Sequence, residues 1–388
     1  MVRMDEQKRD SFLATLIHAN TVGGHEKSLA KILENKFEEH HINCKLVSVE
    51  DDRCDFYAEM GNSAGPVLAL SGHEDVVKLG NLAAWKFPPL SARVSKGKMY
   101  GRGASDMKSG LAVMALAMME LADEGINING KLKLLCTVGE ETSMVNHMQG
   151  AKRFVIDGYL DDVNHLLVAE PTGYRVVFAH KGSITYEIAS KGKAAHSSTP
   201  EQGYNAITPL IRFYEKQEEY FSTLRSENKY LGKVVPVVTK IKGGDQLNSV
   251  PSAASLFVKM RTIPEIPNDQ IISEVKKLVA DINNHFDSQL EFKLLGNKIP
   301  VITDPDDEFV SLIKETAERK LNFDFPLHSF SGGTDASELV KANPQMKVVV
   351  FGPGSDTSHQ ENEYVELSQF NYFVDIYKNI IKRFFKVQ

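Results

Sequence analysis

Residues 66–77 read PVLALSGHEDVV. The unbroken apolar run from Val67 to Leu70 suits a short strand covered on both faces, and His73, Glu74 and Asp75 follow at its carboxyl end. The same order recurs three times. KLKLLCTVGEE (131–141) sets Glu140 and Glu141 after a strand predicted over Leu132–Thr137. HLLVAEPT (165–172) sets Glu170 after His165–Ala169, and KVVVFGPGSDTSH (347–359) sets His359 after Lys347–Phe351. Strands with this continuous apolar character belong in an α/β sheet covered by helices. Ligands of such sheets bind beyond the carboxyl ends of the strands, so these scattered acids and imidazoles are expected to converge on one crevice.

Outward from this core, Asp106 lies in YGRGASDMKSG (100–110), in the turn before a helix predicted over Ser109–Asp123. Apolar residues almost encircle that helix, as they do a buried one. Before the first strand, Leu13, Leu16 and Ile17, then Leu29, Ile32, Leu33 and Phe37, recur at helical spacing and predict two amphipathic helices. The middle of the chain reads differently. Ser183–Ser190 alternates polar and apolar, a helix is predicted from Asn205 to Ser226, and strands at Val234–Ile241 and Ser255–Arg261 follow. A helix at Asp269–Phe286 and a strand at Leu290–Leu295 complete a β-α-β-β-α-β order, the ferredoxin-like arrangement. The helix-and-apolar-strand pattern resumes at Asp307. The expectation is a discontinuous α/β domain with a mixed sheet, residues 1–181 and 295–388, carrying an inserted ferredoxin-like domain at 182–294.

Composition narrows the function. The chain has 388 residues, 42% hydrophobic and 25% charged, enough for two domains with ample core. Fifty-one acidic against 45 basic residues leave a net charge of -6 with no long basic run, which argues against nucleic acid as a partner. The longest nearly unbroken apolar stretch, Leu111 to Met119, is far short of the roughly 20 residues that span a bilayer. The charged start MVRMDEQKRD has no signal-peptide core, so a soluble, cytoplasmic protein is expected. Cys44, Cys54 and Cys136 form no CxxC pair, which disfavours a disulfide scaffold or a thiolate zinc site.

Two imidazoles with several carboxylates and no thiolate suit zinc, or another divalent ion such as cobalt or manganese. Three carboxylates and a hydroxide carry four negative charges, which two divalent ions balance. Without cations the same carboxylates repel one another, and some must hold protons.

GHEDVV, YGRGASDMKSG, VGEET, VAEPT and the late His359, in that order, resemble the co-catalytic zinc hydrolases. That family includes acetylornithine deacetylase, succinyl-diaminopimelate desuccinylase, aminoacylase and related carboxypeptidases and dipeptidases. The resemblance covers nearly the whole chain. It implies that His73 and Glu170 hold one metal, Glu141 and His359 the other, and Asp106 bridges them ahead of a cis peptide bond to Met107. It assigns Asp75 to orienting His73 and Glu140 to taking the proton of a bridging water. The inserted domain resembles the family's dimerisation domain, whose histidine, here His196, reaches the partner subunit's site and stabilises an oxyanion. Asn248, Arg261 and the loop residues Gly332, Gly333 and Thr334 match substrate contacts, with Arg261 suited to a bidentate grip on a carboxylate. Lys78 is a departure, because the family often has a proline soon after HxDVV.

The resemblance therefore implies a homodimeric amidohydrolase with two divalent ions per chain, zinc or cobalt. Its substrate would be a small N-acyl amino acid, with a dipeptidase or tripeptidase as the neighbouring reading. A dinucleotide-binding reading of YGRGASD fails, since Asp106 stands where the third glycine would be and would repel a pyrophosphate. A metal-binding protein without catalysis fits poorly, because Glu140 and all five ligands are present.

Overall fold

The computed structural model describes residues 5–62, 65–141, 148–286 and 288–387; Thr142 of the VGEET motif and the first four residues lie outside them. The chain divides into two compact units, Met1–Ala179 with Ile302–Ser329 and Thr334–Gln388, and His180–Val301 with Phe330–Gly333. The second unit runs past residue 294, because its last long strand continues to Lys298.

In the first unit, helices α1 (Glu6–His18) and α2 (Lys27–Glu39) precede a hairpin of β1 (Asn43–Glu50) and β2 (Arg53–Gly61). Then come β3 (Val67–His73), the short strands β4 (Arg93–Ser95) and β5 (Lys98–Tyr100), α3 (Lys108–Asp123), β6 (Lys131–Thr137), α4 (Gln149–Ile156), β7 (His165–Pro171) and β8 (Val176–His180). The second unit carries β9 (Gly182–Lys191), α5 (Ile207–Phe221), β10 (Glu227–Asn228), β11 (Gly232–Lys233), β12 (Val235–Gly243), β13 (Ala253–Thr262), α6 (Asn268–Phe286) and β14 (Leu290–Lys298). The chain closes with β15 (Val301–Ile302), α7 (Glu308–Leu321), β16 (Leu327–Phe330), α8 (Ala336–Leu339), β17 (Lys347–Gly352), β18 (Tyr364–Glu366) and α9 (Leu367–Phe384).

The large sheet is mixed, in the order β1-β2-β6-β3-β7-β17-β8-β15. Its centre is parallel: β6, β3, β7 and β17 run side by side, so their carboxyl ends open at one edge. Helix α3 covers this centre and is buried along almost its whole length. Its one buried acid, Glu120, takes hydrogen bonds from Arg9 Nε at 2.6 Å and Lys378 Nζ at 2.7 Å, which offsets the cost of burying the charge. Gly110 lets α3 approach β7: a Cβ there would lie 2.1 Å from the Ala169 carbonyl oxygen. That contact sets the start of α3, and with it Asp106, beside the strand that carries Glu170 near its end.

The sheet of the second unit has the order β12-β13-β9-β14, with every neighbouring pair antiparallel. Helices α5 and α6 pack against each other, and the succession is β-α-β-β-α-β interrupted by the β10–β11 hairpin. Helix α5 stops at Phe221, short of the expected Ser226. Beyond it the Asn228 side chain accepts from the amides of Tyr230 and Leu231 and builds a tight turn in place of more helix. Among the described residues no helix is long and apolar enough to cross a membrane.

Candidate active site

Seven of the expected residues, His73, Asp75, Asp106, Glu140, Glu141, Glu170 and His359, belong to the first unit. His73 ends β3 and is 1% exposed. Its Nδ1 donates to the Asp75 backbone carbonyl at 2.8 Å, which leaves the Nε2 lone pair free to act as a ligand. That Nε2 lies 3.1 Å from Asp106 Oδ1 and 3.7 Å from Glu170 Oε1. On the other side, His359 Nε2 lies 3.3 Å from Asp106 Oδ2 and 2.5 Å from Glu141 Oε1. The two oxygens of Asp106 thus face two different imidazoles. Donor atoms of His73, Asp106 and Glu170 fall within 4.8 Å of one another, as do those of Asp106, Glu141 and His359. The peptide bond Asp106–Met107 is cis.

Glu140 and Glu141 follow the end of β6 in irregular backbone, after Gly139 at φ +86°. A third grouping within the same distance joins His73 to both glutamates. The turn is shaped by Asp75. Its carboxylate accepts from the backbone N–H groups of Gly139 (3.1 Å), Glu140 (3.2 Å) and Glu141 (2.8 Å). Asp75 also holds the His73 ring, through its backbone carbonyl. The Asp75 carboxylate stands 3.8 Å from Nδ1, beyond a hydrogen bond. Three amides of the GEE turn donate to that carboxylate.

The electrostatics fit divalent cations. Burial and the neighbouring Asp106, Glu140 and Glu141 carboxylates push the Glu170 carboxyl well above its ordinary range. His359, hydrogen-bonded to Asp106 and Glu141, is pushed up to about 10. Burial opposes ionisation of His73, yet Glu170 and Asp106 hold it well above the usual imidazole value. Asp106 is held far below the usual carboxylate range against its own burial, by His359 and His73. Protons on the imidazoles thus serve as counterions among the carboxylates, a task that two divalent ions perform with the same donor atoms.

The remaining expected residues are placed as follows. His196, exposed in the second unit, pairs its Nδ1 with Ser198 Oγ at 2.7 Å, and the adjacent Ser197 amide donates to the Asn248 carbonyl at 3.0 Å. His196 and Asn248 are therefore neighbours. Arg261 lies on β13 in a row with Ser183 and, beyond it, Lys298. Gly332 and Gly333 belong to the second unit and Thr334 to the first, where its hydroxyl accepts from the Ala336 amide at 3.2 Å. Thr137 Oγ1 donates to Asp335, which ties this loop to the end of β6. Two residues absent from the sequence reading complete the surroundings: Arg102 and Glu363, a fully buried ion pair beside Asp106. Arg102 lies within the YGRGASDMKSG motif and Glu363 in a polar run, and nothing in their spacing marks them as a pair.

A mixed α/β fold with this donor set at the strand ends defines a metal-binding hydrolase. The chain belongs to the peptidase family M20/M25/M40, whose pattern matches residues 69–383. It is 33% identical over 413 aligned residues, covering 100% of both chains, to a Staphylococcus aureus protein named "Probable succinyl-diaminopimelate desuccinylase". A tripeptidase from Staphylococcus aureus has the same fold, with a TM-score of 0.76 and 20% identity across 99% of this chain and 100% of that one. So does a dinuclear metal-binding M20 peptidase from Bacillus subtilis, at a TM-score of 0.71 and 15% identity over 99% of each chain.

Proposed function

We propose that the protein is a two-metal amidohydrolase that removes an N-acyl group, succinyl or acetyl, from a small amino acid such as diaminopimelate or ornithine. The observation that carries this reading is the placement of Asp106, with one oxygen toward His73 and the other toward His359. His73 and Glu170 would hold one ion, Glu141 and His359 the other, and Asp106 both; zinc suits the donors and cobalt can replace it. When bound, the ions polarise the amide carbonyl and ease deprotonation of water. Glu140 takes a proton from the attacking water on a carboxylate oxygen. Water oxygen joins the carbonyl carbon, the C–N bond breaks, and Glu140 passes the proton to the departing amine nitrogen. The products are an amine and a carboxylate.

Asn248, Arg261 and the Gly332–Thr334 segment are assigned to substrate, Arg261 through its carboxylate. The protein would act as a homodimer in which His196 of each copy serves the oxyanion of the other. The 33% identity over the full chain to a protein named as a desuccinylase supports the deacylase reading, and the tripeptidase shares the fold. Chelation should abolish hydrolysis, added zinc or cobalt should restore it, and metal content should approach two ions per chain. Turnover should be highest on N-succinyl or N-acetyl amino acids within a panel that also contains di- and tripeptides. Undiminished turnover without metal overturns the reading, and turnover confined to peptides replaces it with the tripeptidase or dipeptidase alternative.

A further inference from the structure

Glu363 is completely buried, four residues beyond His359, and takes no part in the reaction described above. Its Oε1 accepts from the amides of Ser105 and Asp106, both at 2.9 Å. Its Oε2 accepts from the Gly103 amide at 3.1 Å and from Arg102 Nη1 at 2.6 Å. The Glu363 carbonyl accepts from the Gly101 amide at 2.9 Å, and the next residue, Tyr364, pairs with Tyr100 between β18 and β5. The turn that presents Asp106 is thus folded round one carboxylate whose own backbone is fixed. Arg102 widens the tie, donating to the carbonyls of Gln360 (3.1 Å) and Lys78 (3.2 Å).

Packing alone does not account for this. An apolar side chain of similar size would fill the same space at less cost than a buried charge. What the carboxylate adds is direction. Hydrogen bonds to an ionised acceptor are the strong ones, and here they come from the amides of Gly103, Ser105 and Asp106 itself. With the Asp106 nitrogen fixed, few side-chain torsions remain to choose where its two oxygens lie.

We propose that Glu363 is a positioning residue for the metal centre. It sets the Asp106 turn before metal arrives, and it joins that turn to the loop of His359, so that the two ligand triads assemble together. The proposal rests on Asp106 as the shared ligand.

The test uses the full-length protein. In Glu363→Gln one oxygen can serve the Ser105 and Asp106 amides or the Gly103 and Arg102 donors, but the new NH₂ group must face the other pair. Zinc affinity, measured by competition with a chelator, should fall about 10–100-fold, the usual effect of losing a partner behind a ligand. Both equivalents should weaken together, the visible spectrum of the cobalt-loaded variant should change, and kcat should fall with KM little altered. Glu363→Asp, which keeps the charge, should recover part of the loss.

A second arm needs no variant. In metal-free wild-type protein the Ser105 and Asp106 amides should be protected from hydrogen exchange. Unchanged affinity and spectrum in folded Glu363→Gln overturn the proposal, as do freely exchanging amides at 105 and 106. Asp106→Asn separates the layers. If it leaves zinc stoichiometry and affinity intact, the shared-ligand reading falls and the proposal with it. If Asp106→Asn weakens zinc and Glu363→Gln does not, the positioning role alone falls.

Discussion

Asp75→Asn alters one atom of a buried carboxylate that three consecutive amides share. Its Oδ1 serves Gly139 and Glu140, and its Oδ2 serves Glu141 at 2.8 Å. An asparagine oxygen can keep the first two bonds, but its NH₂ then confronts the Glu141 N–H. One hydrogen bond to a charged group is lost, worth about 1.5–3 kcal/mol, and an amide is left without its acceptor. The combined cost is about 2–4 kcal/mol, or roughly 4–8 °C in Tm for a unit of this size. Because Glu140 and Glu141 sit on this turn, a shift of the order of 1 Å should lower kcat about 10²-fold. His73 should be unaffected, since its ring is held by the Asp75 carbonyl, which the substitution leaves in place. Calorimetry, kcat on the best substrate and a crystal structure of the metal-loaded variant would read all three effects. Unchanged Tm and kcat would refute the reasoning. So would a displaced His73 ring beside an unmoved GEE turn, which would return Asp75 to acting through the imidazole.

Glu140→Gln keeps shape but cannot accept a proton, so metal should stay bound while kcat falls about 10²–10⁴-fold; loss of a metal with per-metal turnover intact would exchange the roles of the two glutamates. Glu141→Gln should instead weaken one metal equivalent, with activity partly recovered at high zinc. His196→Ala should lower kcat about 10²–10³-fold at unchanged metal content, and mixing it with Glu140→Ala chains should restore activity through hybrid dimers; no recovery in verified heterodimers counts against an oxyanion role across the interface. Burial, with the Lys298 and Arg261 charges, holds the buried His180 down to about 4, against 6.5 in the unfolded chain. Its stabilisation is complete above pH 6.5 and declines as pH falls toward 4, a change of about 3 kcal/mol. Chemical unfolding between pH 4 and 7 should therefore show a shallower pH dependence in His180→Gln than in wild type, and identical slopes would refute the assignment.

The strands that carry the candidate ligands were legible because their surroundings are uniform. β3, β6, β7 and β17 are covered on both faces, and burial on both faces writes an unbroken apolar run. The β1–β2 hairpin was not legible. β1 is an edge strand with most of its residues exposed or half-exposed, and β2 buries Asp55 among apolar neighbours, so neither shows a clean period. At the site, the candidate ligand side chains belong to short recognisable motifs. Asp75 and Glu363 instead act on backbone amides, which every residue has, and no pattern of residue types betrays which amides will gather round a carboxylate. The β10–β11 hairpin was missed for a similar reason: a single asparagine, Asn228, turns the chain by hydrogen bonds to two amides.

The first unit is interrupted in sequence, and this has a consequence during synthesis. Asp106 and its turn emerge from the ribosome about 250 residues before Glu363 and His359. At 5–20 residues per second, that interval is roughly 10–50 s. Throughout it, the amides of Gly103, Ser105 and Asp106 lack the acceptor that later closes on them; His73 is already made, and Glu140, Glu141 and Glu170 follow early in the interval. A nascent chain then holds four of the five candidate ligands yet lacks the carboxylate that accepts from the Asp106 amide. The candidate donor cluster is therefore completed late, with the final strands, after the whole second unit has left the ribosome.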